Sequence, residues 1–158
     1  MARLTPRFSA NRTVREYVEQ HYLHAAASYR RRIANKGDMG RQIVDWTHNL
    51  EQKWATLRFG NVRIETRDEQ HIFEVEVSLN DLNPAAVRVE LCADGFVGGS
   101  PVRQEMKRTR PLDDASRTCV YEGAVPSARP AGDYSARLVS QFDGVAVPLE
   151  SALILWQR

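Results

Sequence analysis

The chain has 158 residues, of which 42% are hydrophobic and 27% charged, a composition typical of a soluble globular protein. Its 22 basic and 20 acidic residues give a net charge of +2, which provides no basis for nucleic-acid binding. No apolar run approaches the roughly 20 residues that span a bilayer. The polar, basic N-terminus also lacks a signal-peptide core, so we expect a cytoplasmic protein with no membrane partner.

The chain opens with a predicted amphipathic helix over residues 11–34. Its apolar side chains recur at steps of three and four residues and form one face, which we call the N-terminal stripe: Val14, Tyr17, Val18, Tyr22, Ala25 and Tyr29. Ser9 or Asn11 can cap its start, and Asn35-Lys36-Gly37 can end it with a left-handed glycine. Because such a helix gains most of its stability from tertiary contact, we expect the stripe to pack on a later element or on another chain.

A second helix is predicted to follow, with Asp38 as its cap and its end near Leu57. Its apolar seam consists of Met39, Ile43, Trp46, Leu50, Trp54 and Leu57. Because a short link makes neighbouring helices antiparallel, residues 11–57 predict a helical hairpin. Trp46 and Trp54 could stack on a sugar, but they share the seam, which favours core packing.

From Phe59 onward the hydrophobic period changes to two, which predicts a series of about seven short strands. The clearest alternation is that of Phe73, Val75, Val77 and Leu79. Residues 110–114 predict a polar connection, and residues 145–147 a strand after the turn at 143–144. The pattern predicts an antiparallel immunoglobulin-like β-sandwich over residues 59–158. The fold class is then α+β, with a two-helix segment over residues 1–58.

The histidines and cysteines predict no metal site and no disulfide scaffold. His21 and His24 lie near Glu19, but no converging third ligand can be named. Cys92 and Cys119 are too few for a disulfide framework, and we expect them to be ordinary thiols on strands.

The carboxylate pairs and the glycine-rich loop also lack a catalytic context. Asp113 and Asp114 lie in a predicted loop with no apolar neighbours, and Glu74 and Glu76 lie on the wet face of a strand, so neither pair resembles an acid–base couple. The loop at residues 93–100 connects two strands without a following helix, so we interpret it as a connection and not as a phosphate-binding loop.

Four sequence strings carry a family resemblance: MARLTPRFSANRTVREY at residues 1–17, QIVDW at 42–46, GVAVPLE at 144–150 and LILWQR at 153–158. Together they resemble the C-terminal region of bacterial α-glucan (glycogen or maltodextrin) phosphorylases, from the closing helix of the catalytic region onward. One departure is His24, where relatives often have proline. Histidine allows the first helix of this chain to continue.

The resemblance implies a parent enzyme of carbohydrate metabolism, a glycosyltransferase that uses pyridoxal phosphate to cleave α-1,4-glucan with phosphate and release glucose 1-phosphate. In this family the lysine that holds the cofactor lies upstream of the matched region. None of Lys36, Lys53 and Lys107 has the glycine-rich surroundings of that lysine. We therefore predict no catalytic, cofactor-binding or metal-binding residue in this chain.

The resulting prediction is a non-catalytic accessory region that acts in domain packing or oligomer contact. Its partner would be the remainder of the phosphorylase catalytic region or a second copy of itself, with α-glucan as a further candidate. Two alternatives stay open. One is a carbohydrate-binding module, for which Phe96, Phe142 and Trp156 are the candidate aromatic platforms. The other is a free-standing interaction domain in which the helical hairpin supplies the interface.

Overall fold

The computed structural model describes residues 9–95, 100–113 and 117–157 and divides into two compact units. In the first unit, Met1–Asp45, the described residues are helical from Ala10 onward, and the second, Trp46–Arg158, contains the end of the last long helix and two β-sheets. The fold class is therefore α+β. Within the described ranges, no helix is long and apolar enough to cross a membrane.

The helical elements are α1 (Ala10–Tyr17), a π-helical turn (Val18–Tyr22) and α2 (Leu23–Lys53). Ser9 caps α1, because its hydroxyl oxygen accepts the backbone N–H of Arg12 at 3.3 Å. The predicted continuation of the helix through His24 is confirmed.

A break at residues 34–37 interrupts α2. Asn35, Lys36 and Gly37 have φ values of 52°, 60° and 78°, so the left-handed stop predicted there is confirmed. The predicted helical hairpin is not confirmed, because an antiparallel pair buries its facing stripes and no described side chain before Trp46 is buried. The helix also ends at Lys53, where a 3-10 turn takes over, and not near Leu57.

Eight strands in the described ranges form two antiparallel sheets. They are β1 (Arg58–Arg67), β2 (Gln70–Ser78), β3 (Val87–Ala93), β4 (Val102–Glu105), β5 (Lys107–Asp113), β6 (Thr118–Pro126), β7 (Ser135–Ser140) and β8 (Ile154–Trp156). Sheet A has the strand order β1-β2-β6-β5, and sheet B has the order β4-β3-β7-β8. Each strand pair in both sheets is antiparallel.

Side chains from both sheets join one hydrophobic core. Val75 and Val77 of β2 are fully buried, as their alternation predicts, and Leu91 of β3 is buried with them from sheet B. Trp46 and Leu50 add the end of α2 to the same core. The burial of these two residues explains why the seam of the second helix is strongly apolar.

Gly123 of β6 packs closely against Met106 and against Leu91 of sheet B. A Cβ atom at this position would lie 2.9 Å from Cγ of Met106 and 3.3 Å from Cδ1 of Leu91. The absence of a side chain therefore allows sheet A to approach the residues of sheet B.

Two strand predictions are wrong. Residues 110–113, predicted as a polar connection, belong to the edge strand β5, which pairs with only one neighbour and needs no alternating apolar face. Residues 145–147, predicted as a strand, form none. The N–H of Ala146 donates to the Glu150 carboxylate at 2.8 Å, and its carbonyl accepts the Glu150 N–H at 2.7 Å, so a local turn occupies both groups.

Candidate functional site

The N-terminal stripe is exposed to solvent in this chain. Val14, Tyr22 and Tyr29 are 61%, 64% and 65% exposed, and Tyr17 and Val18 are exposed as well. Contiguous apolar surface of this kind is characteristic of a surface that associates with a partner.

The π-helical turn places two tyrosines of the stripe side by side. Tyr17 and Tyr22 are five residues apart, a spacing that puts side chains on different faces of a regular α-helix. In a π-helix the backbone hydrogen bond spans five residues, so side chains at this spacing lie nearly above one another. The ring centroids are 6.5 Å apart. The local widening of the helix thus makes the stripe continuous.

The two histidines of the first unit that the sequence singled out lie on the helix surface. His21 and His24 are exposed, and the ring of His21 packs beside Tyr17 with centroids 5.4 Å apart. Across the described ranges, no three histidine, cysteine, aspartate or glutamate side chains are grouped as metal ligands.

His71 of β2 is a buried structural histidine. Its Nε2 lies 2.9 Å from the Arg129 carbonyl oxygen, and its Nδ1 lies 2.7 Å from the Thr66 hydroxyl. A carbonyl only accepts, so Nε2 donates, and in the neutral ring Nδ1 accepts from Thr66. Both ring nitrogens of His71 are therefore hydrogen-bonded, and these bonds link β1, β2 and the segment after β6.

Of the two carboxylate pairs considered in the sequence, Glu74 and Glu76 have side chains that the structure describes. Glu74 and Glu76 lie on the outward side of β2, as expected, with buried residues on either side of each. Asp114 lies outside the described residues, as do residues 96–99 of the glycine-rich loop. Cys92 and Cys119 are free thiols on β3 and β6, as predicted.

The lysines do not fit pyridoxal phosphate. A lysine that forms a Schiff base with this cofactor needs nearby groups that hold the pyridine nitrogen and the phosphate. Lys53 Nζ instead lies 2.9 Å from the carboxylate of Asp81, and its hydrogen bond lowers the pKa of that carboxyl. Lys36 is exposed in the helix break, and Lys107 is exposed at the start of β5.

The aromatic residues considered as sugar platforms differ in their surroundings. Phe96 lies outside the described residues. Phe142 is half-buried and packs on Trp46, with ring centroids 5.3 Å apart, so the core-packing interpretation of Trp46 is confirmed. Trp54 also packs against the core. Trp156 of β8, by contrast, is 43% exposed.

Trp156 borders a cleft of about 500 Å³ on sheet B, which we call the Trp156 cleft. Strand register determines its shape. Cys92 of β3 pairs with Ser135 of β7 on one side and with Arg103 of β4 on the other, and all three side chains line the cleft. The small side chains of Cys92 and Ser135 and the larger ones of Arg103 and Trp156 all line it. Burial raises the pKa of the Cys92 thiol, which makes it a weak nucleophile at neutral pH.

Polar groups of both signs line the Trp156 cleft. Asp94 and Asp133 contribute carboxylates, and Arg103 and Arg137 contribute guanidinium groups. Arg129 donates to the backbone carbonyl of Asp94 at 3.0 Å and so fixes that wall. Acidic and basic side chains therefore line the cleft in equal number.

A buried ionic cluster next to the cleft was not predicted from the sequence. Glu90 of β3 is only 3% exposed. Its Oε1 accepts from Nε of Arg88 at 2.6 Å, and its Oε2 accepts from Nε and Nη2 of Arg137 at 2.8 and 2.6 Å. Burial raises the pKa of the Glu90 carboxyl, but the hydrogen bonds and charges of the two arginines outweigh it, so the pKa is lowered.

The ionic cluster also positions one wall of the cleft. The guanidinium carbon of Arg137 lies 5.4 Å from the ring centroid of Trp156, within the range of a cation–π contact. Arg137 is the cross-strand neighbour of both Glu90 and Trp156. The alternation of Arg88 and Glu90 reads in the sequence as an ordinary wet strand face, so only the strand register could have revealed the cluster.

The homologues of this chain are glycogen and maltodextrin phosphorylases. The chain is 28% identical over 160 residues to a maltodextrin phosphorylase from Thermococcus litoralis, a match that covers 98% of the chain and 19% of that relative. It is 28% identical over 161 residues to a glycogen phosphorylase from Mycobacterium bovis and 27% identical to one from Mycobacterium tuberculosis, with 96% of the chain and 18% of each relative covered. No protein-family profile matches the chain.

The chain thus spans about a fifth of the length of the curated relatives it matches. Nearly the whole chain takes part in each match, which is consistent with a C-terminal region of such an enzyme. The resemblance found in the sequence is confirmed.

Proposed function

We propose that this chain is a non-catalytic C-terminal accessory region of an α-glucan phosphorylase and that it acts in domain packing or oligomer contact. The observation that carries the proposal is the exposed N-terminal stripe, in a chain that matches phosphorylases over nearly its whole length. In this proposal phosphorolysis of α-1,4-glucan to glucose 1-phosphate, and the pyridoxal phosphate that supports it, belong to the rest of the enzyme. This chain contributes no catalytic, cofactor-binding or metal-binding residue.

The stripe favours a protein partner. Its tyrosines combine apolar rings with hydroxyl groups, and tyrosine is enriched in protein interfaces for that reason. Helix α1 carries Arg12 and Glu16 as an exposed ion pair with Nε and Oε1 2.9 Å apart, so a charged rim accompanies the apolar face. The proposed partner is the remainder of the phosphorylase catalytic region, with a second copy of this chain as the alternative. A cytoplasmic location follows for such an enzyme.

We further propose that residues 59–158 form an immunoglobulin-like β-sandwich, preceded by a helical segment over residues 1–58. The order β1-β2-β6-β5 has the connectivity of the A-B-E-D sheet of such domains, and β4-β3-β7-β8 that of a C-F-G sheet with one added strand. The hydroxyl of Tyr134 donates to the carbonyl of Pro126 at 3.1 Å across the connection between β6 and β7. This bond has the character of a tyrosine corner and supports the assignment.

The first test is the genomic reading frame upstream of residue 1. We expect it to encode a phosphorylase catalytic region that, when coexpressed, forms a complex with this chain measurable by size-exclusion chromatography with light scattering. The double variant Tyr17→Ser/Tyr22→Ser should lose the complex. The matched control Leu149→Ser, which changes an exposed residue of the second unit, should keep it.

Two outcomes would contradict the proposal. One is an upstream frame that encodes no phosphorylase catalytic region. The other is a complex that forms equally well with the double-serine variant, because the stripe would then not be the contact surface. Stripe-dependent dimerisation of the isolated chain would assign the surface to oligomer contact, the second form of the proposal.

A further inference from the structure

We propose that a cleft lined by residues of both sheets binds a small phosphomonoester, in which a phosphate group is esterified to an apolar body. We call it the basic cleft, and the residues that define it are Val87, Arg88, Met106, Lys107, Arg108 and Tyr121. Its volume of about 460 Å³ is within the range of small-molecule sites, about 300–1,000 Å³. The inference goes beyond the proposed function and does not depend on it.

Positive charge predominates in the basic cleft. Arg88, Lys107 and Arg108 line it, and Glu105 is the single acidic side chain among its described lining residues. Lys107 and Arg108 are exposed, and neither forms an ion pair with another residue in the described ranges. Two cations at the start of β5 are therefore available to a ligand, and their charge selects an anion.

The ion pair of Arg88 does not cancel this excess of positive charge. Nε of Arg88 donates to Glu90 at 2.6 Å, but the other oxygen of the same carboxylate accepts from Arg137, also at 2.6 Å. One negative charge thus serves two guanidinium groups. The ionic cluster next to the cleft consequently adds to its positive potential.

A buried hydroxyl without a partner lies at the wall of the basic cleft. Tyr121 of β6 is only 4% exposed, and its hydroxyl has no hydrogen-bond partner among the described residues. Because buried polar groups are nearly always hydrogen-bonded, an orphaned one at a cleft points to a group that the chain itself does not supply.

The Tyr121 hydroxyl is suited to donate to an anion. Burial raises the pKa of Tyr121 to about 12, so the hydroxyl keeps its proton at neutral pH. Arg108 is its cross-strand neighbour on β5. An anionic oxygen bound between these two side chains would give the hydroxyl its missing acceptor and the guanidinium group a counter-charge.

The basic cleft also has an apolar part, which distinguishes an ester from the free ion. Pro84, Val87 and Met106 line it beside the charged groups. Inorganic phosphate leaves this surface in contact with water, whereas the carbon skeleton of an ester can cover it. A phosphate ester carries a charge of about −1.5 to −2 at neutral pH. Two available cations therefore match a phosphomonoester better than a carboxylate or a sulfate ester, each of which has a single charge.

Backbone hydrogen bonds hold the walls of the basic cleft in place. The N–H of Met106 donates to the carbonyl of Val89 at 2.8 Å and so fixes the junction of β4 and β5 against β3. The N–H of Gln141 donates to the carbonyl of Ala86 at 2.8 Å and so links the end of β7 to the turn before β3. A preformed site loses less conformational entropy on binding.

Isothermal titration of the full chain with phenyl phosphate tests the proposal, at about pH 7.5, where phosphate esters are largely doubly charged. We expect saturable binding at one site. Inorganic phosphate should bind more weakly because it lacks the apolar body, and phenyl sulfate should bind more weakly because it carries one charge. Absence of phenyl phosphate binding would overturn the proposal. Equal affinity for inorganic phosphate or for phenyl sulfate would overturn it as well.

Three variants locate the site. Tyr121→Phe removes only the hydroxyl, and Lys107→Gln and Arg108→Gln each remove one charge, so each should weaken binding of phenyl phosphate by about fivefold or more. Arg67→Gln is the matched control, because Arg67 is an exposed arginine on β1, at the opposite edge of sheet A. It should bind like the unchanged chain. Undiminished binding by Tyr121→Phe or by Arg108→Gln would refute the site.

Two readouts cover the case in which a variant fails to fold. Because the Tyr121 hydroxyl has no partner among the described residues, Tyr121→Phe should not lower the urea midpoint measured without ligand. In the unchanged chain, phenyl phosphate should slow acetylation of Lys107 by N-hydroxysuccinimidyl acetate, followed by mass spectrometry. Lys36, an exposed lysine of the first unit, should react at the same rate with and without ligand. Equal rates at Lys107 would contradict the proposal.

This inference and the proposed function fail separately. A chain that joins the phosphorylase catalytic region through the stripe but does not bind phenyl phosphate refutes only the anion site. A chain that binds phenyl phosphate through Tyr121 but has no phosphorylase partner refutes only the accessory role.

Discussion

Replacement of Glu90 by glutamine should destabilise the β-sheet unit substantially. The change removes the charge that Arg88 and Arg137 neutralise and places an amide group against them. Breaking a buried ion pair by removing one partner costs about 3–5 kcal/mol, whereas exposed pairs contribute about 0–1 kcal/mol. The side chain of Arg137 is 13% exposed and that of Arg88 27%, so water can reach the second arginine after the change. We therefore expect a loss of about 3 kcal/mol in the free energy of unfolding.

Urea denaturation measures this loss. With a denaturant slope of about 2 kcal/mol per molar urea, the midpoint should fall by about 1.5 M. Glu105→Gln is the matched control, because Glu105 pairs with Glu90 across β4 and β3 but is exposed. This control should change the free energy of unfolding by less than about 0.5 kcal/mol. A loss below about 1 kcal/mol for Glu90→Gln would refute the reasoning, because the arginines would then be satisfied by solvent.

The same cluster predicts a pH dependence. The pKa of the Glu90 carboxyl lies below its ordinary value of 4.5 in the folded protein, so the folded state favours the charged form. Its stabilising contribution is fully present well above pH 4.5 and is lost as the pH falls through the lowered folded pKa. The difference in urea midpoint between the unchanged chain and Glu90→Gln should therefore shrink below that pH. A difference that stays constant down to pH 3 would contradict the assignment.

Three further predictions concern the core, the contact between sheets and the chemistry. Leu50→Ala should lower the free energy of unfolding by about 3 kcal/mol in urea denaturation, because the side chain is fully buried. A loss below about 1 kcal/mol would place Leu50 outside the core. Gly123→Ala should cost about 1–2 kcal/mol through its contact with Met106, and Met106→Ala should make the added methyl group less costly in the double variant. Equal costs in both backgrounds would contradict this contact. The chain alone should release no glucose 1-phosphate from glycogen and phosphate, with or without pyridoxal phosphate, and any release would overturn the non-catalytic assignment.

The elements that local periodicity determines could be predicted from the sequence. The alternation of Phe73, Val75 and Val77 identified β2 and its buried face, because a strand with one face in the core must repeat every two residues. The left-handed stop at Gly37 followed from glycine chemistry. Both features depend on neighbours along the chain.

The features that depend on strand register could not be predicted. The edge strand β5 carries Arg108, Arg110 and Pro111 and has little hydrophobic alternation. Its residues 110–113 were therefore predicted to be a connection. The pairing of Arg137 with both Glu90 and Trp156 joins three strands that are distant in sequence. The Trp156 cleft was therefore visible in the sequence only as one candidate aromatic residue.

The edges of sheet A affect how the chain behaves during its synthesis. An unpaired strand edge is a template for the intermolecular β-structure that leads to amyloid, and proteins protect such edges with charge, proline and bulges. The edge strand β5 has all three protections, since Arg108 and Arg110 flank a register irregularity and Pro111 lacks an N–H to donate. At the other edge, β1 also has a register irregularity, between Phe59 and Val62. Both edges of sheet A therefore carry features that oppose pairing with the strands of another chain.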